Sequence, residues 1–319
     1  MEPQDVDLSA PLGHLTLPNP IGTASGCAGY GRELARFVPL AELGTVTTKT
    51  IMPYPRAGEA TPRMAETPSG MLNSIGLQGS GIDRFLRLEL PWLAERGARV
   101  LVSIAGQRLE EFIEVAARLH GQPGVVGIEL NISGPNLADR GLVFARNPAT
   151  SYDVVRAVRK VTDPELPVYA KLSPDVTSIT EIAAACVHAG ADGLSMINTA
   201  VGMAIDLDTL RPALAAGAGG LSGPALRPIA LRCVWEVHAA MLAGRIPQVP
   251  ILGMGGISTG RDALEFTLAG ASGVAVGTAL FHDPAAPRRI LAELRAELAA
   301  RGFAKYTDAV GFAHRPHLS

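Results

Sequence analysis

The sequence predicts an α/β fold, a (β/α)8 TIM barrel with extended loops at its C-terminal face. Short apolar runs ending in small or polar residues recur eight times along the chain, and segments of 3.6-residue periodicity fall between them. That alternation suggests a parallel sheet. No G-x-G-x-x-G follows the first run, and a doubly wound sheet usually carries that fingerprint there. Eight βα units without it read as a closed barrel.

In order, the strands are expected near Pro20 to Gly26, Thr45 to Thr50, Val100 to Gly106, Gly127 to Ser133, Val168 to Ser173, Gly193 to Thr199, Pro250 to Gly256 and Gly273 to Thr278. Helices fit between them at Leu109 to His120, Ile179 to Ala189, Ala225 to Ala243, Arg261 to Ala269 and Pro287 to Arg301, several opened by a Ser, Thr or Asp cap. Leu12 to Pro18 reads as a small hairpin closing the barrel's bottom. Three connections, Ile51 to Ser80, Gly134 to Pro148 and Ala200 to Ser222, exceed what a barrel needs. All follow strands, so they belong to the face where barrel enzymes build their sites.

At 319 residues and 33.2 kDa, with 47% hydrophobic and 18% charged residues, the chain can bury a full core as one domain over residues 1–319. Intrinsic disorder is excluded. A net charge of -2 and a pI near 6.4 offer no basic field for nucleic acid. No apolar run reaches the roughly 18 residues of a spanning helix, and the N-terminus has neither the basic start nor the apolar stretch of a leader. Cys27, Cys186 and Cys233 are too few and too scattered for a disulfide framework or a zinc site. A cytoplasmic protein is expected.

Alternation places Glu129, Asn131 and Ser133 on one side of the fourth strand and Tyr169, Lys171 and Ser173 on one side of the fifth. Lys49 ends the second strand, and Asn198 and Thr199 end the sixth. The chain has only four lysines against 24 arginines, and two of the four lie near strand ends. The plain alternative is a solvated strand-end charge. Gly255-Gly256 and Gly277-Thr278 follow the last two strands, where barrels commonly hold phosphate on backbone N–H groups. Glycine also serves ordinary βα turns. Phosphate at one end of the mouth, lysines across it and amides between suit flavin mononucleotide (FMN), whose reduced ring carries negative charge. No metal is expected: His14, His120, His188, His238, His282, His314 and His317 show no ligand spacing near a strand end and read as surface or helix residues.

Several segments together resemble the dihydroorotate dehydrogenases. They are Ala24-Ser25-Gly26-Cys27-Ala28-Gly29-Tyr30-Gly31, Thr61-Pro62-Arg63, Met71-Leu72-Asn73-Ser74-Ile75-Gly76-Leu77-Gln78, Asn131-Ile132-Ser133-Gly134-Pro135-Asn136, Lys171-Leu172-Ser173-Pro174 and Gly253-Met254-Gly255-Gly256. The A-S-G-x-x-G-x-G stretch is most similar to the class 1B catalytic subunit. The resemblance implies an FMN barrel that oxidises dihydroorotate to orotate in pyrimidine biosynthesis. It also implies a partner subunit carrying FAD and an iron-sulfur cluster that passes electrons to NAD, and a homodimer or heterotetramer. This sequence shows no cluster-binding cysteine set and no NAD fingerprint.

Carried over by position, the resemblance implies flavin contacts at Ser25, Lys49, Thr50, Ser103, Asn131, Lys171, Ile197, Gly223, Gly255, Gly256, Gly277 and Thr278. Ser103 stands where the family usually has an asparagine, a longer reach toward the flavin. Substrate contacts are implied at Lys49, Asn73, Ser74, Ile75, Gly76, Leu77, Asn131, Asn136, Asn198 and Thr199. Amides match a ring of alternating N–H and C=O groups, and a lysine supplies charge for its carboxylate.

Catalytic roles are implied at Lys49, Lys171, Ser133 and the base position, which in the family is a cysteine and here is Gly134. General-base catalysis is typically worth about 10² to 10⁴ in rate. Four accounts stay open: an engineered Cys-to-Gly chain, a natural weak dehydrogenase using Ser133 or water, a base at Cys27, and a paralogue that binds FMN and a cyclic amide for other chemistry or none. The plain readings are that Cys27 is a small filler, that Glu129 is a structural carboxylate paired with a lysine, and that Cys186, Cys233, Trp92 and Trp235 are helix packing. His314 and His317 sit in a tail with no evident partner.

Overall fold

The computed structural model describes residues 2–133 and 144–316. Eight parallel strands form the central sheet: β1 (Ile21–Thr23), β2 (Val46–Thr47), β3 (Val100–Ile104), β4 (Val125–Leu130), β5 (Val168–Leu172), β6 (Gly193–Met196), β7 (Ile251–Met254) and β8 (Gly273–Val276). Their order runs β1, β8, β7, β6, β5, β4, β3, β2. The Gly22–Thr45 bridge and the Thr23 N–H bond to the Thr45 carbonyl join the two ends into a barrel. Gly22 permits that closure: a Cβ there would lie 2.3 Å from Thr45 Oγ1.

Strand register gives the lumen two characters. Leu101, Tyr169, Leu252, Met254 and Ala275 cluster with Leu12 and Leu17 and form its apolar part. The antiparallel pair Ala10–Leu12 and Leu15–Leu17 supplies those leucines, so the expected hairpin plugs the bottom. Above it, the same parity brings Thr47, Ser103, Glu129, Lys171 and Ser195 inward, all buried. Outside, amphipathic helices cover the strands with Phe112, Val154, Ile182, Val234, Phe266 and Leu294, all of them buried.

The helices lie at Leu109–Arg118, Ile179–His188, Arg227–Leu242, Gly260–Leu268 and Ala286–Ala300, each near its expected span. Thr259 and Asp262 form a reciprocal cap at the fourth. A further helix, Pro148–Arg159, is capped by Asn147, whose side chain accepts from the Ala149 and Thr150 N–H groups.

Several expectations are corrected. Strands end earlier than the sequence suggests, so Lys49, Asn131, Ser133, Asn198 and Thr199 lie on the turns just beyond β2, β4 and β6. Side chains of Asn131, Ser133, Asn198 and Thr199 bond one another there instead of continuing a ladder. Two of the long connections contribute strands: Ala200–Met203, Ala218–Ser222, Gly70–Asn73 and Met64–Thr67 form an antiparallel four-stranded layer over the barrel mouth. Gly219 and Gly220 let it close, since a Cβ at Gly220 would lie 2.0 Å from Thr199 Oγ1 and one at Gly219 2.5 Å from the Asn73 carbonyl oxygen. Most of the third, including Gly134 and Asn136, falls outside the described residues, as does His317.

His314 has partners after all. It stacks on Trp235 at 3.5 Å, and its Nε2 lies 3.0 Å from the Ala269 carbonyl. Trp235 is accordingly 40% exposed and pinned by the tail rather than packed in the core. Trp92 packs under the guanidinium groups of Arg32 and Arg96.

Candidate active site

The barrel mouth and its sheet enclose a cavity of about 390 Å³. Of the flavin contacts expected from the sequence, Ser25, Lys49, Thr50, Asn131, Lys171, Ile197, Gly223, Gly255, Gly256, Gly277 and Thr278 line it. Ser103 does not. Its hydroxyl sits behind Thr50, 3.0 Å from the Thr50 Oγ1, and its side chain is too short to pass that neighbour.

Five of the expected substrate contacts, Asn73, Ile75, Leu77, Asn198 and Thr199, also reach the wall. Ser74 and Gly76 do not. The strand ends at Asn73, and beyond it the chain turns through Gly76 and Leu77, both at positive φ, while the Ser74 N–H bonds the Arg63 carbonyl. Gly76 sits at φ +71°, and a Cβ there would lie 2.5 Å from the Glu59 nitrogen. Cys27, Gln78, Ser222 and Met254 line the cavity without having been singled out as contacts. Cys27, Gln78 and Met254 lie inside the resemblance-bearing motifs, so position within a motif was the available signal.

One connected amide network crosses the mouth. Asn131 Nδ2 donates to Thr50 Oγ1 at 3.1 Å, while Asn198 Nδ2 donates to Ser133 Oγ at 3.0 Å and approaches Asn131 Oδ1 at 3.4 Å. Asn198 Oδ1 accepts from the Thr199 N–H at 2.8 Å. These bonds fix the amide planes before any ligand arrives, which is the condition for selective polar recognition. Ser133 is buried within the network and off the cavity wall.

Charge enters through two lysines. Lys171 Nζ donates to Ser25 Oγ at 2.9 Å and lies 3.5 Å from Glu129 Oε1, so Glu129 is the lysine-paired carboxylate expected. Lys49 is held below the usual lysine range: burial is the main cause, the nearby Cys27 opposes it and Arg63 adds to it. Burial pushes the Cys27 thiol up, with Lys171 and Lys49 pulling it back. Burial thus disfavours the thiolate form that a base would need.

Beyond β7 and β8 the wall includes glycine backbone. Gly255 and Gly256 have φ of +132° and +77°, and Cβ atoms there would lie 2.7 Å from Ala230 Cβ and from the Gly223 carbonyl oxygen. Glycine is required by both conformation and packing, and its backbone is left facing the cavity. Thr278 Oγ1 donates to Ser222 Oγ at 2.8 Å and completes that wall. Such a cradle fits a phosphate approached by N–H groups. Among the described residues no cluster of three His, Cys, Asp or Glu side chains suits a metal.

A family-wide sequence profile for dihydroorotate dehydrogenase matches residues 7–298. The chain belongs to the dihydroorotate dehydrogenase family. It is 50% identical over 308 residues to the dihydroorotate dehydrogenase B (NAD(+)) catalytic subunit of Geobacter sulfurreducens, covering 97% of this chain and 98% of that protein. It is 49% identical over 304 residues to the same subunit of Anoxybacillus flavithermus, covering 95% of each. A crystal structure of the Eimeria tenella family enzyme in complex with ferulenol superposes with a TM-score of 0.80 at 26% identity, covering 97% of this chain and 89% of that one.

Proposed function

We propose that the chain is an FMN-dependent dihydroorotate dehydrogenase, the catalytic subunit of an NAD-linked enzyme in pyrimidine biosynthesis. The observation that carries this reading is the convergence of Lys49, Lys171, Asn73, Asn131 and Asn198 on one cavity that Gly223, Gly255, Gly256 and Gly277 also line. Ser25, Thr50 and Lys171 would hold the flavin ring, and Gly223, Gly255, Gly256, Gly277 and Thr278 its phosphate. The flavin, when bound, supplies the hydride acceptor.

The chain's own residues do the rest. Lys49 meets the substrate carboxylate, and burial strengthens that contact. The three asparagines present donors and acceptors to the ring edge in fixed orientation. Thr199, held through Asn198, closes the same side. The cover strands Gly70–Asn73 and Ala218–Ser222 exclude water above the ring. Gly134 supplies no proton acceptor, so the step at the ring carbon is slow and Gly134→Cys accelerates it.

As the family resemblance implies, electrons leave through a partner subunit with FAD and an iron-sulfur cluster; this chain's own three cysteines are scattered and free. The chain works as one FMN-binding unit, in the cytoplasm, within a homodimer or heterotetramer. The test is direct: purified protein should carry FMN in about equimolar amount, and orotate should perturb its visible spectrum. A colourless protein that takes up no FMN on reconstitution contradicts the reading.

A further inference from the structure

Within the barrel lumen one carboxylate lacks the partners that burial demands. Glu129 is fully buried, and neither of its oxygens makes a hydrogen bond among the described residues. Among the described residues its counter-charge is Lys171 Nζ, 3.5 Å from Oε1, longer than the ~2.7–2.9 Å of a strong charge-assisted bond. The hydroxyls of Thr47 and Ser195 face the same lumen and are likewise unpartnered. A fully buried carboxylate with no cation and no hydrogen bond would take up a proton, whereas Lys171 at the cavity wall keeps the Ser25 hydroxyl as a further partner.

The two ends of this pair face different surroundings. Lys171 lines the cavity and spends one donor on Ser25, whereas Glu129 stands behind it and off the cavity wall. The charge that the cavity feels at this wall is the ammonium moderated by the carboxylate beneath it. Nothing in the proposed reaction uses Glu129 directly.

We propose that Glu129 is a positioning residue that aims Lys171 at the flavin and offsets part of its charge, and that it thereby lowers the electron affinity of the bound flavin. The inference rests on the flavin reading above. It is distinct from that reading, because flavin can bind with or without this control. Removing the carboxylate's charge leaves the ammonium uncompensated, and the electron-rich reduced flavin gains.

The experiment is spectroelectrochemical titration of FMN-loaded protein. Glu129→Gln keeps shape and removes charge. One unit charge in a site of effective dielectric ~20 is worth about tenfold in the reduced-to-oxidised ratio, which is roughly 30 mV more positive for a two-electron couple. Glu129→Asp keeps the charge and should stay within about threefold of wild type, or roughly 15 mV. A merely structural role would disturb both variants alike.

Where Glu129→Gln fails to fold, Lys171→Met at saturating FMN carries the comparison. Adding Glu129→Gln to it should shift the ratio by less than about threefold, since a carboxylate stripped of its cation is already neutral. An unchanged potential in folded, flavin-loaded Glu129→Gln overturns the proposal, as does a full tenfold shift on adding it to Lys171→Met. A wild type that takes up no FMN overturns the flavin reading itself, and this inference with it.

Discussion

Replacing Gly256 by alanine tests the phosphate end of the site. Gly256 has φ +77°, and a left-handed backbone costs an L-residue about 1–2 kcal/mol. Its new Cβ would also lie 2.7 Å from the Gly223 carbonyl oxygen and 2.9 Å from Arg227 Cβ. Neither contact is a flexible side-chain tip, so either the Gly255–Gly256 turn or the segment at Gly223 must move. Both line the cavity, and whichever moves, the cradle deforms. If only the conformational cost is drawn from binding, FMN affinity falls about tenfold, at 1.4 kcal/mol per factor of ten. The assay is fluorescence titration of apo-protein with FMN. Gly121→Ala is the control: its φ of +67° imposes a similar backbone cost, and no atom lies within 4 Å of the added Cβ. That variant should lose stability and keep flavin affinity. Wild-type affinity in Gly256→Ala, or equal loss in Gly121→Ala, would refute the reasoning.

Three further outcomes are expected. Because Lys49 titrates below the usual lysine range, orotate affinity should fall as pH rises through that lowered value, since the neutral amine no longer attracts a carboxylate; calorimetry across alkaline pH checks this, and a flat profile up to the usual lysine range contradicts it. Asn198→Ala removes the donor to Ser133 and the acceptor for the Thr199 N–H, so orotate should bind about 10- to 100-fold more weakly while FMN affinity holds within about threefold, for a loss of roughly 1–3 kcal/mol. Tyr306→Phe strips the hydroxyl that donates to the Ala271 carbonyl and accepts from Thr267; thermal unfolding should drop by several degrees, at about 2–4 °C per kcal/mol, with flavin content unchanged.

The barrel was legible because its signal is repeated: eight apolar runs with buried branched residues, such as Val100, Val102 and Ile104, can satisfy both faces only in a parallel sheet under helices. The site was legible where motif residues sit at strand ends, as Lys171 and Asn131 do. The cover was not. Gly70–Asn73 and Ala218–Ser222 are short and glycine-rich, with little alternation, and their strand character comes from pairing with each other across about 150 residues of sequence. The depth of Ser103 was hidden for a related reason: period 2 says which side a residue faces, but not that Thr50 from the neighbouring turn stands in front of it. The tail contact of His314 with Trp235 and Ala269 joins residues 79 and 45 positions apart, which no local pattern encodes.

The central claim is that these residues bind a flavin and present dihydroorotate to it. Anaerobic mixing of the FMN-loaded protein with dihydroorotate, followed at the flavin absorbance band, tests it most directly. Slow bleaching in the wild type, with acceleration of about 10² or more in Gly134→Cys, is the predicted result. Absorbance that stays constant in both proteins, with FMN bound and orotate binding intact, would contradict it.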